Sequence, residues 1–388
     1  QLAHVTANKK KLPKTVADGW AGVDVCKRCH EPQYKAWSEE ALHPEAMQVL
    51  MPKMVTNKNC LPCHTVGFDK GGFVSLEKTP KLAAVQCENC HGKGEKHIDR
   101  PKAENMPTAG LNAEVCGVCH SGAHHNTFSE AEWKGTKHAR ALPDLLQFRK
   151  IQPQAVKDYC LECHSADYRL APADKKPTLD TAKLSLTCQA CHDTHSTLTR
   201  LPKNLLCQSC HTGGLELKVG GEVHNNTKEM YFGKIVPGTG IFAPPVFAKH
   251  VRSGVGCPEC HMFKKPYVSE AEPAKSGHDF LPKPEGCAVC HPERGVDGNK
   301  AMIDTLQAPT KAALAELKPR IDAAKVRFEE LKKAGKATKD LTNVYNLAIF
   351  GYDFTFQDRS NGFHNPDYAK AMLDLSRKNL AAFEAQSR

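Results

Sequence analysis

Three scarcities in this 388-residue sequence each close off a class of protein. No window approaches the run of about 18 apolar residues that a membrane span requires, so no membrane-spanning helix is expected. The first residues, Gln1 to Lys11, lack the apolar stretch of a signal peptide, and residue 1 is not a lipidatable cysteine. The numbering is therefore expected to begin at a mature N-terminus. Finally, 40% hydrophobic residues and 25 prolines are too little material for an ordinary core at this length.

What is present is cysteine, 18 in all, with none outside a CxxC pair. Every pair is followed at once by histidine: Cys26/Cys29/His30, Cys60/Cys63/His64, Cys87/Cys90/His91, Cys116/Cys119/His120, Cys160/Cys163/His164, Cys188/Cys191/His192, Cys207/Cys210/His211, Cys257/Cys260/His261 and Cys287/Cys290/His291. Zinc ribbons and disulfides also use CxxC pairs, but neither needs histidine at the next position each time. With 20 histidines in the chain, nine such coincidences would arise by chance with a probability of about 10⁻¹¹ to 10⁻¹². The C-x-x-C-H pattern places two thiols on one helical turn to add to the vinyl groups of a haem, while the adjacent imidazole reaches its iron. Nine covalently bound haem c groups are expected. Such attachment takes place outside the cytoplasm, which implies an exported protein, periplasmic or extracellular.

The cofactors change how charge and core are read. A formal charge of +10 would ordinarily suggest an anionic partner such as nucleic acid. Each bis-histidine haem, however, brings about one net negative charge when ferric and about two when ferrous, taking the total to about +1 or about −8. The Lys/Arg excess then balances propionates, and no nucleic-acid partner is expected. The macrocycles become the core. The expected fold is mainly α with extensive irregular loops, a haem-dominated core and a C-terminal helical arm.

Motif spacing is irregular, which excludes a solenoid of fixed period. Residues 1–125 read as an N-terminal tetrahaem region, 126–300 as a pentahaem region and 301–388 as a cysteine-free arm. In the arm, Leu314, Leu317, Ile321, Ala324, Phe328 and Leu331 recur at three- and four-residue steps, the signature of an amphipathic helix. Gly335 breaks it. A second helix is expected from Thr338 to about Phe356, and a third from Asn365-Pro366 to about Ala385. The arm is expected to pack on the haem domain or on another subunit.

Eleven histidines lie outside the motifs: His4, His43, His97, His124, His125, His138, His195, His224, His250, His278 and His364. They face nine sixth coordination positions. For each, the alternative is a surface or propionate-bonding role, and of the His124/His125 pair at least one ligand is expected. Met262, next to His261, is a candidate axial thioether or, alternatively, a side chain packed on porphyrin. The sixth position decides the chemistry. Two imidazoles leave iron with electron transfer alone, whereas an open face could bind a small molecule.

The stretches CKRCHEPQYKAWSEEALH, CLPCHTVGF, VQCENCHGKGEKH and VCGVCHSGAHHNTFSEAEWKGTKHA resemble, in this order, the tetrahaem cytochrome that accepts electrons from hydroxylamine oxidoreductase. GVGCPECHM, SGHDFLP and SNGFHNPDYAKAML are similar to the superfamily of cytochrome c nitrite reductase, hydroxylamine oxidoreductase and octahaem tetrathionate reductase. The resemblance implies distal-ligand roles for His43, His97, His138, His195, His250, His278 and His364, and an open sixth position at the haem of His64. Two features depart from those enzymes. All nine motifs end in histidine, where the nitrite reductases mostly carry a catalytic lysine, and the count of nine matches none of them.

The leading expectation is an electron carrier with redox partner proteins or extracellular acceptors. A sharper form is a homo-oligomer or filament in which His4 supplies a ligand across an interface. The alternative is an oxidoreductase of small nitrogen or sulfur oxyanions working at one open haem, with that of His64 as the candidate. The acid/base group would then be whichever of His124 and His125 is not a ligand. The motif count predicts nine haems per chain in a pyridine haemochromogen assay normalised to protein; a ratio of eight or fewer would show that a motif is not loaded.

Overall fold

A computed structural model describes residues 15–106, 110–121, 130–214, 217–234, 236–240, 248–269 and 271–388. His4, His124 and His125 therefore lie outside the described residues. Contacts divide the chain into two compact units. The first comprises Gln1–Leu201 with Lys265–Asp279, and the second Pro202–Lys264 with Phe280–Arg388. The three regions expected from sequence follow the chemistry along the chain. The units instead group what packs together, so the short segment 265–279 belongs with the first unit.

The first unit is built from short helical pieces joined by irregular segments. Two of its longer helices are α1, Glu31–Glu39, and α2, Ala141–Ile151. Its apolar clusters are small. One gathers Trp20, Leu50, Leu61, Val66, Phe73 and Leu82, and another packs Leu142 and Leu145 of α2 on Val156, Leu161 and Leu179. Among the described residues, β pairing is limited to isolated bridges such as Thr65 with Ala83. Small, separate clusters of this kind are what is expected where cofactors supply the core.

In the second unit three long helices follow the last motif: α3 Gly295–Lys333, α4 Lys339–Gln357 and α5 Pro366–Gln386. The expected starts hold to within a residue at α4 and α5. Thr338 Oγ1 accepts the Leu341 amide and Asn365 Oδ1 that of Tyr368, with Pro366 in the first turn where its missing N–H costs nothing. α3 tolerates Pro309 and Pro319, each of which removes one backbone hydrogen bond. All six periodic residues of α3 are buried. They pack on Leu341, Ala348 and Tyr352 of α4 and on Leu373, Leu380 and Phe383 of α5. Phe328 stacks on Tyr345 with centroids 3.8 Å apart. At the α4/α5 crossing, a Cβ on Gly351 would run into the Met372 carbonyl oxygen, so only glycine permits this approach.

Leu317 has no exposed surface, and Leu317→Ala is expected to cost about 2–5 kcal/mol. Guanidinium denaturation of the holoprotein followed by far-ultraviolet circular dichroism measures the loss. A change below about 0.5 kcal/mol would show that the arm is not the cooperative three-helix unit described here.

Candidate haem centres

The motifs form the local geometry their spacing calls for. In four of them the histidine amide donates to the carbonyl of the first cysteine: His30 to Cys26 (3.0 Å), His192 to Cys188 (2.8 Å), His211 to Cys207 (2.9 Å) and His291 to Cys287 (2.8 Å). That i to i−4 bond closes one α-helical turn, setting the two thiols and the imidazole on one side. None of the 18 cysteines forms a disulfide. Among the described residues, no three His, Cys, Asp or Glu side chains converge to hold a bare metal ion.

The second cysteines of the motifs differ in access. Cys29, Cys90 and Cys290 are exposed, whereas Cys63, Cys119, Cys163, Cys191, Cys210 and Cys260 are half-buried. None of the nine second cysteines is fully buried.

Five motif imidazoles each face an imidazole from outside the motifs. The ring centroids lie 6.0 Å apart for His30 and His97, 6.3 Å for His120 and His43, and 6.2 Å for His192 and His278 in the first unit. In the second unit they lie 6.1 Å apart for His261 and His364 and 6.3 Å for His291 and His250. Rings in van der Waals stacking would sit closer. Metal–imidazole bonds of about 2.0–2.1 Å place two centroids about 6 Å apart across a single metal, so these pairs fit an iron between them. It is His364, not Met262, that faces His261.

Hydrogen bonds at the far ring nitrogen select the ligating tautomer. Nδ1 of His164 donates to the Ala141 carbonyl (3.1 Å), that of His192 to Thr197 (2.9 Å), that of His261 to Phe280 (2.9 Å) and that of His97 to Lys102 (3.0 Å). His64 Nδ1 lies 2.5 Å from the Ala46 carbonyl, and His211 Nδ1 pairs with Asn225 Oδ1 at 3.0 Å. A proton held at Nδ1 leaves the Nε2 lone pair for a metal. Burial, reinforced by His43 and His64, presses His120 down to about 4. Burial also leads the lowering at His30, His43, His211, His250 and His261. These imidazoles are neutral at pH 7, the form that binds metal.

The other candidates are placed as follows. His138 lies ahead of α2, its carbonyl accepting the Leu186 amide at 3.3 Å. The His195 amide donates to Asp193 Oδ1 at 3.0 Å. His224 sits on an exposed loop of the second unit, and His91 closes the helix Cys87–His91.

Several positioning groups carry no sequence signature. Glu88, inside the third motif and 2% exposed, accepts the amides of Ala21 (3.0 Å), Gly22 (2.9 Å) and Gly94 (2.7 Å), while Gln86 takes that of Val23. The third motif thereby holds the start of the first. Glu132 accepts the Ser276 amide and hydroxyl and the His278 amide, drawing the 276–278 segment to where His278 meets His192. Asn204 Oδ1 accepts the Cys257 amide at 3.2 Å, tying the helix of the seventh motif to the eighth. Sulfurs of separate motifs also meet: Cys26 with Cys87, Cys116 with Cys188 and Cys257 with Cys207.

Three family models match parts of the chain: cytochrome c554 and c-prime at residues 25–92, cytochrome c7 and related cytochrome c at 147–212, and cytochrome c552 at 245–387. Among curated proteins, no relative matches the sequence. Of solved structures, the outer cell wall cytochrome OcwA is 25% identical, with a TM-score of 0.70 over 94% of this chain and 100% of its own. An undecahaem cytochrome from the S-layer of Carboxydothermus ferrireducens is 20% identical, with a TM-score of 0.63 over 97% of this chain and 72% of its own. The cytochrome c nitrite reductase of Desulfovibrio desulfuricans aligns over 66% of this chain and 74% of its own, at 16% identity and a TM-score of 0.45, too low to bear on activity. The fold is therefore that of multihaem cytochromes, and the matching families imply covalently bound haem c with its iron. Among the described residues, no helix is long and apolar enough to cross a membrane.

Glu88→Ala would strand three buried amides at about 1–3 kcal/mol each, so a total loss of about 3 kcal/mol or more is expected. Denaturant titration of the holoprotein measures it. A loss below about 1 kcal/mol would show that Glu88 does not clamp the two motifs.

Proposed function

We propose that this protein is an exported nonahaem c-type cytochrome that carries electrons along mostly bis-histidine haems to a redox partner or extracellular acceptor. The observation that carries this reading is the set of five imidazole pairs at 6.0–6.3 Å, each joining one motif histidine to one histidine from elsewhere in its unit. Bound haem supplies one-electron chemistry at an iron closed on both faces. The chain's own tasks are to anchor, orient and shield.

Anchoring rests on the eighteen cysteines, two per haem, with Cys29, Cys63, Cys90, Cys119, Cys163, Cys191, Cys210, Cys260 and Cys290 each supplying the second thioether of its motif. Orientation rests on the Nδ1 hydrogen bonds and on His43, His97, His250, His278 and His364. The sixth positions at the haems of His64, His91, His164 and His211 fall to His138, His195, His224 and those of His4, His124 and His125 that reach an iron. Contacts between motifs suggest a wiring order. In the first unit the first motif lies against the third through Glu88 and Cys26/Cys87, the third near the fourth through Cys90 and Cys116, and the fourth against the second and the sixth through Cys119/Cys63 and Cys116/Cys188. In the second unit the seventh lies against the eighth, and the eighth near the ninth through Cys260 and Cys287.

The two similar cytochromes, one of an outer cell wall and one of an S-layer, support an extracellular site of action. The motif resemblances support descent from the nitrite reductase and hydroxylamine oxidoreductase superfamily, with the catalytic lysine replaced by histidine. Polymerisation into a filament is the finer form of this reading. It depends on His4 acting across an interface and is removed if negative-stain images show only discrete particles at every concentration.

Electron paramagnetic resonance of the oxidised protein provides the central test. Low-spin signals integrating to nine ferric haems are expected. A high-spin haem that binds nitrite or carbon monoxide would replace the carrier with the oxyanion oxidoreductase.

A further inference from the structure

His364 is backed differently from the other paired ligands. Its Nδ1 lies 2.7 Å from Oδ1 of Asp358, whose side chain has no exposed surface. At His97, His192 and His261 the corresponding partner is a neutral backbone carbonyl, and at His278 it is the Ser276 hydroxyl. Glu293 approaches Nδ1 of His291 only to 3.7 Å and is 62% exposed, so solvent screens it.

The setting of Asp358 is built. It lies where α4 ends, and its Oδ2 accepts the Ser360 hydroxyl and, at 3.4 Å, the Ser360 amide. The same hydroxyl oxygen accepts the His364 amide at 3.1 Å. The intervening backbone turns through three left-handed residues, Arg359, Asn361 and Gly362, at φ 61°, 53° and 84°. A Cβ on Gly362 would run into Thr310 Oγ1 of α3, so the turn is pressed against α3. Tyr231 meets the His364 ring edge-on at 6.2 Å and is itself held by the Val255 carbonyl. The imidazole is thereby fixed in position and in tautomer.

We propose that Asp358 is a positioning residue that fixes His364 as the axial partner of His261 and holds the reduction potential of that haem below the value a neutral partner would allow. A carboxylate drawing on the Nδ1 proton makes the imidazole a stronger donor at Nε2, which favours ferric over ferrous iron. Its buried negative charge acts in the same direction, because little solvent intervenes. The inference rests on the bis-histidine reading of the preceding section.

The experiment is a spectroelectrochemical titration of the full-length holoprotein and its Asp358→Asn, Asp358→Glu and His364→Ala variants, paired with electron paramagnetic resonance. Asp358→Asn keeps an acceptor oxygen and removes the charge. It is expected to move about one ninth of the titrating absorbance to higher potential with all haems still low-spin, and Asp358→Glu to restore much of the shift. His364→Ala is expected to convert one haem to high-spin. If His364→Ala leaves every haem low-spin, the ligand assignment itself fails. If it yields the high-spin haem while Asp358→Asn titrates like the unaltered protein, only the role of Asp358 is overturned. If Asp358→Asn itself turns high-spin, the carboxylate holds the ligand without setting its potential, and the tuning claim falls.

Discussion

An iron between two imidazoles fixes the distance between two pieces of chain that sequence alone does not relate. The motif supplies one ring, already oriented by its own helical turn. The other must arrive from elsewhere and stop about 6 Å away with its Nε2 facing inward. In the first unit Glu132 draws in the segment carrying His278, and the Lys102 carbonyl holds Nδ1 of His97. Loops of this kind would be a poor use of chain in a protein whose core was its own side chains. On the proposed ligation they would be the means of delivering imidazoles to the macrocycles.

The two units meet this demand with different materials. In the first, hydrogen bonds accepted by buried side chains such as Glu88 and Gln86 fasten the third motif to the first, and apolar clusters stay small. In the second, a three-helix arm with a continuous apolar seam provides rigidity of the usual protein kind, and ion pairs such as Arg320–Glu384 and Arg377–Glu316 bridge α3 and α5 at its surface. Exposed pairs of that sort add little stability. The seam, with Phe328 on Tyr345 and Gly351 at the closest approach, holds the arm together.

Legibility in the sequence followed the range of the interactions. The CxxCH motifs are complete within five residues, so cofactor type could be read directly. The arm was readable because helical periodicity is local, and each of Leu314 to Leu331 in the series is buried where expected. The histidines outside the motifs were legible as candidates but not as pairs. Nothing near His43 names His120, and nothing near His364 names His261, because those matches exist only after folding. Asp358, Glu88 and Glu132 were not legible at all. An acidic residue in a charged chain looks like surface until burial and partners are known.

His364 lies in the connection between α4 and α5, which gives the arm an optical consequence. With His364 bound to iron as proposed, prying those two helices apart would pull an imidazole off the metal, and a metal losing a strong-field donor changes colour and magnetism at once. The three-helix bundle would then contain its own strain gauge. Tension or proteolysis applied to a part of the molecule that has no cysteine would register in visible absorption, and force on the bundle would act as a switch on one cofactor.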